Sequence, residues 1–215
     1  GASWKKKYTG SFGMGCFSFF PTKNITTTEG GMLTTNSKKR YLEIKKLIAH
    51  GINKGKKKYF WQREADLPGH NFRLPNHLAA LGIAQLNKLA QFNKKRKQIA
   101  KMYDKYLSKF PDVFTVQKVG KNLTHSYQMY SCLVKSHYRN NFLFFLKKKG
   151  IGASVHFVPP LHKQKYLNKY KKKLKNTDVL AKEIVTLPIY PSLKKNEIFT
   201  ILKTINEWYQ KNVKK

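Results

Sequence analysis

Apolar residues recur along this chain with two different periods, and the change from one to the other marks its elements. From Lys38 to about His50, the stretch KKRYLEIKKLIAH places apolar side chains at 41, 44, 47 and 48, one face of a helix, and Gly51 follows as a stop. Pro75 opens a longer helical pattern, PNHLAALGIAQLNKLAQFNKKRKQIAKMYDKYLSKF. Its Leu78, Leu81, Leu86, Leu89, Ile99, Met102, Tyr103 and Tyr106 fall near one stripe. The first half of that pattern is small and apolar, with Ala79, Ala80, Gly82 and Ala84, and the second half is charged. The change predicts a domain junction between residues 90 and 110. Further helices are expected near NNFLFFLKKKG, ending at Gly150, and from about Lys195 to Asn212.

Strand patterns separate the helices. Residues 8–36 read as strand and turn, rich in aromatics and threonine and punctuated by Gly and Pro. SYQMYSCLV and ASVHFV read as strands, the second running into a Pro-rich turn, whereas residues 51–70 have no period and read as a loop. Strands alternating with helices predict an α/β fold without internal repeats, divided into residues 1–95 and 96–215.

Composition makes the chain globular. With 215 residues, 40% of them hydrophobic and 13% aromatic, it can bury a core. The longest uncharged stretch, residues 8–22, is interrupted by Gly, Ser and Pro, short of the ~20 apolar residues of a membrane span. Cys16 and Cys132 form neither a metal-ligand spacing nor a disulfide framework, which fits a reducing cytoplasm. The opening residues GASWKKKYTG have no initiating Met and no secretory layout, as expected after removal of a leader or in the rear part of a longer chain.

The formal net charge of +34 points first to a polyanion such as nucleic acid. Arginine, the better phosphate fork, is confined to Arg40, Arg63, Arg73, Arg96 and Arg139, and the lysines spread along loops and helix faces alike. A compositional bias at permissive surface positions accounts for that distribution. Non-specific binding of nucleic acid at low salt is still expected from so basic a chain.

One lysine stands apart. In GCFSFFPTKNITTTEGG, Lys23 follows an apolar run and precedes a row of threonines closed by two glycines. An amine held against apolar chain has its charged form disfavoured and gains nucleophilicity toward carbonyl carbon, although a lysine at a strand end also snorkels readily to water. Ser18, Thr22, Thr26, Thr27 and Thr28 put hydroxyls around it that could hold a phosphate, or could belong to an ordinary Thr-rich turn. Asn71 and Arg73 in GHNFRLP, just ahead of the long helix, could receive an anion or simply form its N-terminal turn. His156 and His162, in ASVHFVPPLHKQKY, could meet a polar substrate or serve the structure. No third ligand follows at a useful spacing, so no metal site is expected. Walker-type, G-x-S-x-G, G-x-G-x-x-G and H-E-x-x-H motifs are absent.

Five segments in order, FSFFPTKNITTTEGGMLTTN, GHNFRLPNHLAALGIAQLNKL, SYQMYSCLV, GIGASVHFVPPLHKQKYL and LPIYPSLKKNEI, resemble the C-terminal portion of the DegT/DnrJ/StrS family of pyridoxal-phosphate-dependent nucleotide-sugar aminotransferases. The resemblance implies the C-terminal part of a fold-type I pyridoxal-phosphate transferase, with 1–95 the end of the large cofactor domain and 96–215 a small α/β domain. Lys23 matches the lysine that bonds the cofactor, Ser18 a phosphate-contacting serine, and Asn71 an asparagine that reaches the partner subunit's cofactor phosphate. A homodimer follows from that last match. His156 and His162 fall in a segment that lines the substrate side, and Thr28 stands where many members carry Gly. Some members have His in place of the lysine and act as dehydratases, so retention of Lys23 implies transamination, from an amino acid such as glutamate to a nucleotide-linked keto-sugar.

Members of the family carry further sequence ahead of the lysine segment, including the acid that pairs with the pyridine nitrogen, an aromatic that stacks on the ring and a phosphate-binding turn. Those parts are not in this chain, which is therefore expected to bind pyridoxal phosphate poorly by itself. Two other readings stay open at this point: a Lys-rich nucleic-acid-binding protein, and a split or non-catalytic relative of the family.

Overall fold

A computed structural model describes residues 1–53, 55, 58–170 and 172–214. In chain order the elements are β1 (Ser3–Trp4), β2 (Lys7–Tyr8), β3 (Met14–Ser18), β4 (Gly31–Thr35), α1 (Lys38–Leu47), α2 (Asn76–Leu107), β5 (Phe114–Val116), β6 (Leu123–Thr124), β7 (Tyr130–Val134), α3 (Ser136–Lys148), α4 (Lys175–Glu183), β8 (Ile184–Leu187) and α5 (Lys195–Asn212). Two short 3₁₀ turns, Leu161–Lys163 and Lys165–Tyr170, precede α4. Three antiparallel sheets form among the described residues, ordered β2-β1-β6, β3-β4 and β5-β7-β8. The chain is α/β and divides into two compact units, residues 1–90 with 121–124, and residues 91–120 with 125–215.

In the first unit, β3 and β4 form a hairpin in register from Met14↔Thr35 to Ser18↔Gly31. Ser37 caps α1, its Oγ accepting from the Arg40 N–H. The helix stops where His50 and Gly51 turn left-handed, at φ of 64° and 70°, and the Gly51 N–H closes onto the Lys46 carbonyl at 2.8 Å. Residues 70–72 then zip onto that end: His70 and Phe72 donate to the Leu47 and Ile48 carbonyls. The segment 51–70 holds no helix or strand among its described residues, only an isolated bridge between Ile52 and Ala65. Gly15, Thr27 and Gly51 are the buried residues of this unit among those described.

The second unit has a core. Within α2 the buried side chains Arg96, Ile99, Ala100, Tyr103 and Leu107 recur at three- and four-residue intervals, and α5 repeats the pattern with Ile198, Ile201, Leu202, Ile205, Trp208 and Tyr209. β7 alternates, burying Tyr130, Cys132 and Val134. Trp208 and Phe114 lie edge-on to Phe142 at 4.8 and 5.3 Å between centroids. The polar ends of the buried aromatics are satisfied: Trp208 Nε1 donates to Asn141, Tyr209 to Asp112, Tyr130 to Asp104 and Tyr103 to the Pro188 carbonyl.

The strand expected over ASVHFV is a single bridge. Ser154 and Thr186 exchange backbone bonds at 3.0 and 2.8 Å, and pairing goes no further into a segment that meets Pro159 and Pro160. No described helix is long and apolar enough to cross a membrane.

Candidate active site

Residues 19–30, between the hairpin strands, fold back on one backbone unit. Phe19 donates its N–H to the Gly30 carbonyl at 2.9 Å, while its own carbonyl accepts the Thr27 N–H at 3.0 Å and the Thr26 hydroxyl at 2.8 Å. Within this closure a tight turn forms, the Lys23 N–H bonding the Phe20 carbonyl at 3.0 Å, and Lys23 is held half-buried. The lysine is thus fixed by main-chain bonds of a strand-anchored loop, the kind of support that keeps a reactive group in register.

Of the two roles their sequence leaves open, Thr26, Thr27 and Thr28 take that of the Thr-rich turn. Thr26 gives its proton to Phe19 O, Thr27 to Glu29 O at 2.6 Å and Thr28 to Thr27 O, so all three hydroxyl protons go to the loop's own carbonyls. Thr26 Oγ1 also accepts from the Thr28 N–H at 2.8 Å. Thr27 is 1% exposed and packs its methyl against α2, where a Cβ added at Gly82 would stand 3.0 Å from it. Thr28 sits at φ 67°, a left-handed position that a β-branched residue rarely adopts. Ser18 differs. Its Oγ accepts from the Phe20 N–H at 3.3 Å, which leaves its proton for a ligand.

Asn71 is exposed, its backbone bridged to Ala49 and its Oδ1 accepting from Arg73 Nε at 3.1 Å. With the carbonyl end engaged, the amide N–H₂ is the end left to donate. Ser18, the last residue of β3, therefore stands at the entry of the loop that carries Lys23, and Asn71 lies elsewhere in the same unit.

The two histidines belong to the second unit and have separate partners. His156 Nδ1 lies 3.1 Å from Thr186 Oγ1, and His162 Nε2 lies 3.0 Å from Asp178 Oδ1. Asp178, in the first turn of α4, also receives Lys163 Nζ at 2.6 Å; the lysine bond first, and the imidazole after it, hold the carboxylate below its usual range. Neither Thr186 nor Asp178 was among the sequence candidates. Asp178 could have been noticed as an acid inside a run of lysines, but nothing in the sequence ties Thr186 to His156. No cluster of three or more metal-ligating side chains occurs among the described residues.

The sequence profile described as the DegT/DnrJ/EryC1/StrS aminotransferase family matches residues 1–206. A GDP-perosamine synthase from Escherichia coli O157:H7 is 34% identical over 97% of this chain and 56% of its own length. Helicobacter pylori PseC, an aminotransferase involved in the biosynthesis of pseudoaminic acid, superposes with a TM-score of 0.87 at 28% identity, over 98% of this chain and 57% of PseC. The PLP form of a putative sugar aminotransferase, Spr1654 from Streptococcus pneumoniae, shares the fold with a TM-score of 0.86 at 24% identity, over 98% of this chain and 55% of Spr1654. The chain spans a little over half the length of the relatives it matches.

Proposed function

Since the chain belongs to the DegT/DnrJ/EryC1/StrS aminotransferase family, we propose that it works in a pyridoxal-phosphate-dependent aminotransferase. The enzyme moves an amino group from an amino acid, glutamate by family resemblance, to a keto-sugar carried on a nucleotide. The observation that carries this reading is the position of Lys23, half-buried on a loop closed by Phe19 and flanked by a serine with a proton to give. An amine with a hydroxyl donor five residues before it, and an amide donor elsewhere in the unit, are the groups that an aldehyde bearing a phosphate ester requires, so the residues present fit the cofactor.

When bound, pyridoxal phosphate supplies the electron sink that stabilises negative charge at the substrate carbon. The chain's own groups do the rest. Lys23 Nζ bonds the cofactor at rest and, once displaced, takes and returns the proton at the carbon that bears the amino group. Ser18 Oγ and Asn71 Nδ2 donate to phosphate oxygens, Asn71 serving the partner subunit's cofactor in a homodimer. His156 and His162, with one ring nitrogen each oriented by Thr186 and Asp178, offer the other to the sugar substrate. In this reading residues 1–95 complete the large cofactor domain and residues 96–215 form the small domain.

The test is chemical trapping. A complete version of the chain, with the cofactor-binding segments that family members carry ahead of the lysine, is incubated with pyridoxal phosphate, reduced with borohydride, digested and analysed by mass spectrometry. Label concentrated on Lys23, and lost in Lys23→Ala, is the expected result. Label scattered over surface lysines with no preference for Lys23 sinks the proposal.

A further inference from the structure

Strands β1 and β2 are joined by a two-residue turn, Lys5 and Lys6, both left-handed at φ of 45° and 66°. Tight hairpin turns of this backbone favour Asn and Gly, and two lysines there are more than a drift toward lysine at permissive positions explains. The register sets what surrounds them. Trp4 lies directly across from Lys7 on one side and from Leu123 of β6 on the other, so the three side chains share one face of the sheet. Trp4 is 49% exposed and Leu123 51%, and the Phe12 ring, 53% exposed, lies 6.1 Å from the indole. The backbone beneath is ordered: the Lys5 N–H donates to the Asn122 carbonyl at 2.8 Å, the Thr9 N–H to the Ala2 carbonyl at 3.0 Å and the Ser11 hydroxyl to the Tyr8 carbonyl at 2.7 Å. A fixed sheet face thus leaves a tryptophan, a leucine and a phenylalanine half open to water.

The charge around that face has one sign. Lys5, Lys6, Lys7 and Lys121 are all exposed, and no Asp or Glu occurs in residues 1–28 or 113–177, the segments that build the sheet. An open apolar face bordered by cations complements an anionic surface with an apolar interior, which is a phospholipid layer. Nucleic acid is the weaker match. A base needs a flat open ring to stack on, whereas Lys5 Nζ sits 4.9 Å over the Trp4 ring, Phe12 is tilted by 49° to it, and Leu123 offers no ring. An indole flanked by ammonium groups settles at the level of lipid headgroups.

We propose that the β2-β1-β6 face docks this chain on anionic lipid, with Trp4, Leu123 and Phe12 entering the headgroup layer and Lys5, Lys6, Lys7 and Lys121 meeting the lipid phosphates. The contact is peripheral and does not depend on the chemistry at Lys23.

Vesicle sedimentation tests the proposal, on a complete version of the chain at about 150 mM salt. Wild type is expected to bind phosphatidylcholine vesicles that carry about 30% phosphatidylglycerol, and not vesicles of phosphatidylcholine alone. Because the whole chain is basic, two variants with the same loss of charge are compared. Lys5→Gln/Lys6→Gln/Lys7→Gln should weaken binding about a hundredfold, whereas Lys97→Gln/Lys101→Gln/Lys105→Gln, at exposed positions of α2, should change it little. Trp4→Ala/Leu123→Ala keeps every charge and should weaken binding about tenfold. Lipids brominated along the acyl chain should quench tryptophan emission in the wild type, and Trp4→Phe should abolish that quenching. Equal losses in the two lysine variants, unaltered binding in the Trp4 and Leu123 variant, or no quenching that depends on Trp4 overturns the proposal. So does a (dT)10 oligonucleotide whose binding falls in both hairpin variants while vesicle binding does not.

Discussion

The two units of this chain are held together by different means. Between Ile99 and Tyr209 lie all the buried apolar side chains among the described residues, from the α2 stripe to the Trp208 cluster. The first unit buries none. Trp4, Tyr8, Phe12, Met32, Phe60, Ile83 and Leu86 are all exposed there, and its order comes from hairpin register, capped helix ends and loop carbonyls bonded by N–H and hydroxyl groups. Hydrophobic burial stabilises without specifying direction, whereas hydrogen bonds specify geometry and contribute modest net stability. The candidate lysine belongs to the second kind of structure. Its backbone is fixed because the N–H and carbonyl of Phe19 are both committed, while among the described residues of its unit no apolar side chain is buried.

Truncation tests that contrast most strongly. Phe142→Ala should cost the second unit about 3–5 kcal/mol in urea denaturation, while Ile83→Ala, at a 64% exposed helical position, should stay within about 0.5 kcal/mol. Equal effects would show that the first unit has a core after all. Arg96→Met should cost about 2–3 kcal/mol, because Arg96 Nη1 donates to the carbonyls of Tyr127, Gln128 and Ile189 and a thioether cannot replace those bonds.

A pH series sharpens the comparison further. Burial lowers the pKa of His125 from 6.5, and its Nδ1 accepts the Tyr127 N–H, so the native state holds the ring neutral. The unfolded chain therefore takes up the proton first as pH falls. Stability of the second unit should decline as pH falls from about 6.5 to the native pKa and level off below it, and His125→Asn should remove that part of the slope in urea midpoints. The smallest effect belongs to the first unit. Relief of the left-handed strain in Thr28→Gly should stabilise the hairpin by about 0.5–1 kcal/mol, seen as slower amide exchange in β3 and β4.

Helices with strong apolar periodicity were legible in the sequence, and α5 runs from Lys195 to Asn212 as its pattern predicts. The short elements β5, α4 and β8 were not anticipated. α4 is mostly polar and buries no residue, so no periodic stripe announces it, and β8 is defined by its pairing with β7 across more than fifty residues of chain. In the candidate site, Lys23 and Ser18 stood out through their setting. The spending of three threonine protons on neighbouring carbonyls depends on how the loop turns, which residue types do not encode.

The contact between Thr27 and Gly82 carries a consequence for descent. These residues are far apart in the chain, yet a methyl at 82 would meet the wall of the lysine loop at 3.0 Å. Drift at one position is then conditional on the other: a larger residue at 82 is expected among relatives chiefly where 27 has shrunk to Ser or Ala. Such paired changes would leave a record of the lysine loop's geometry in sequences whose structures have never been determined.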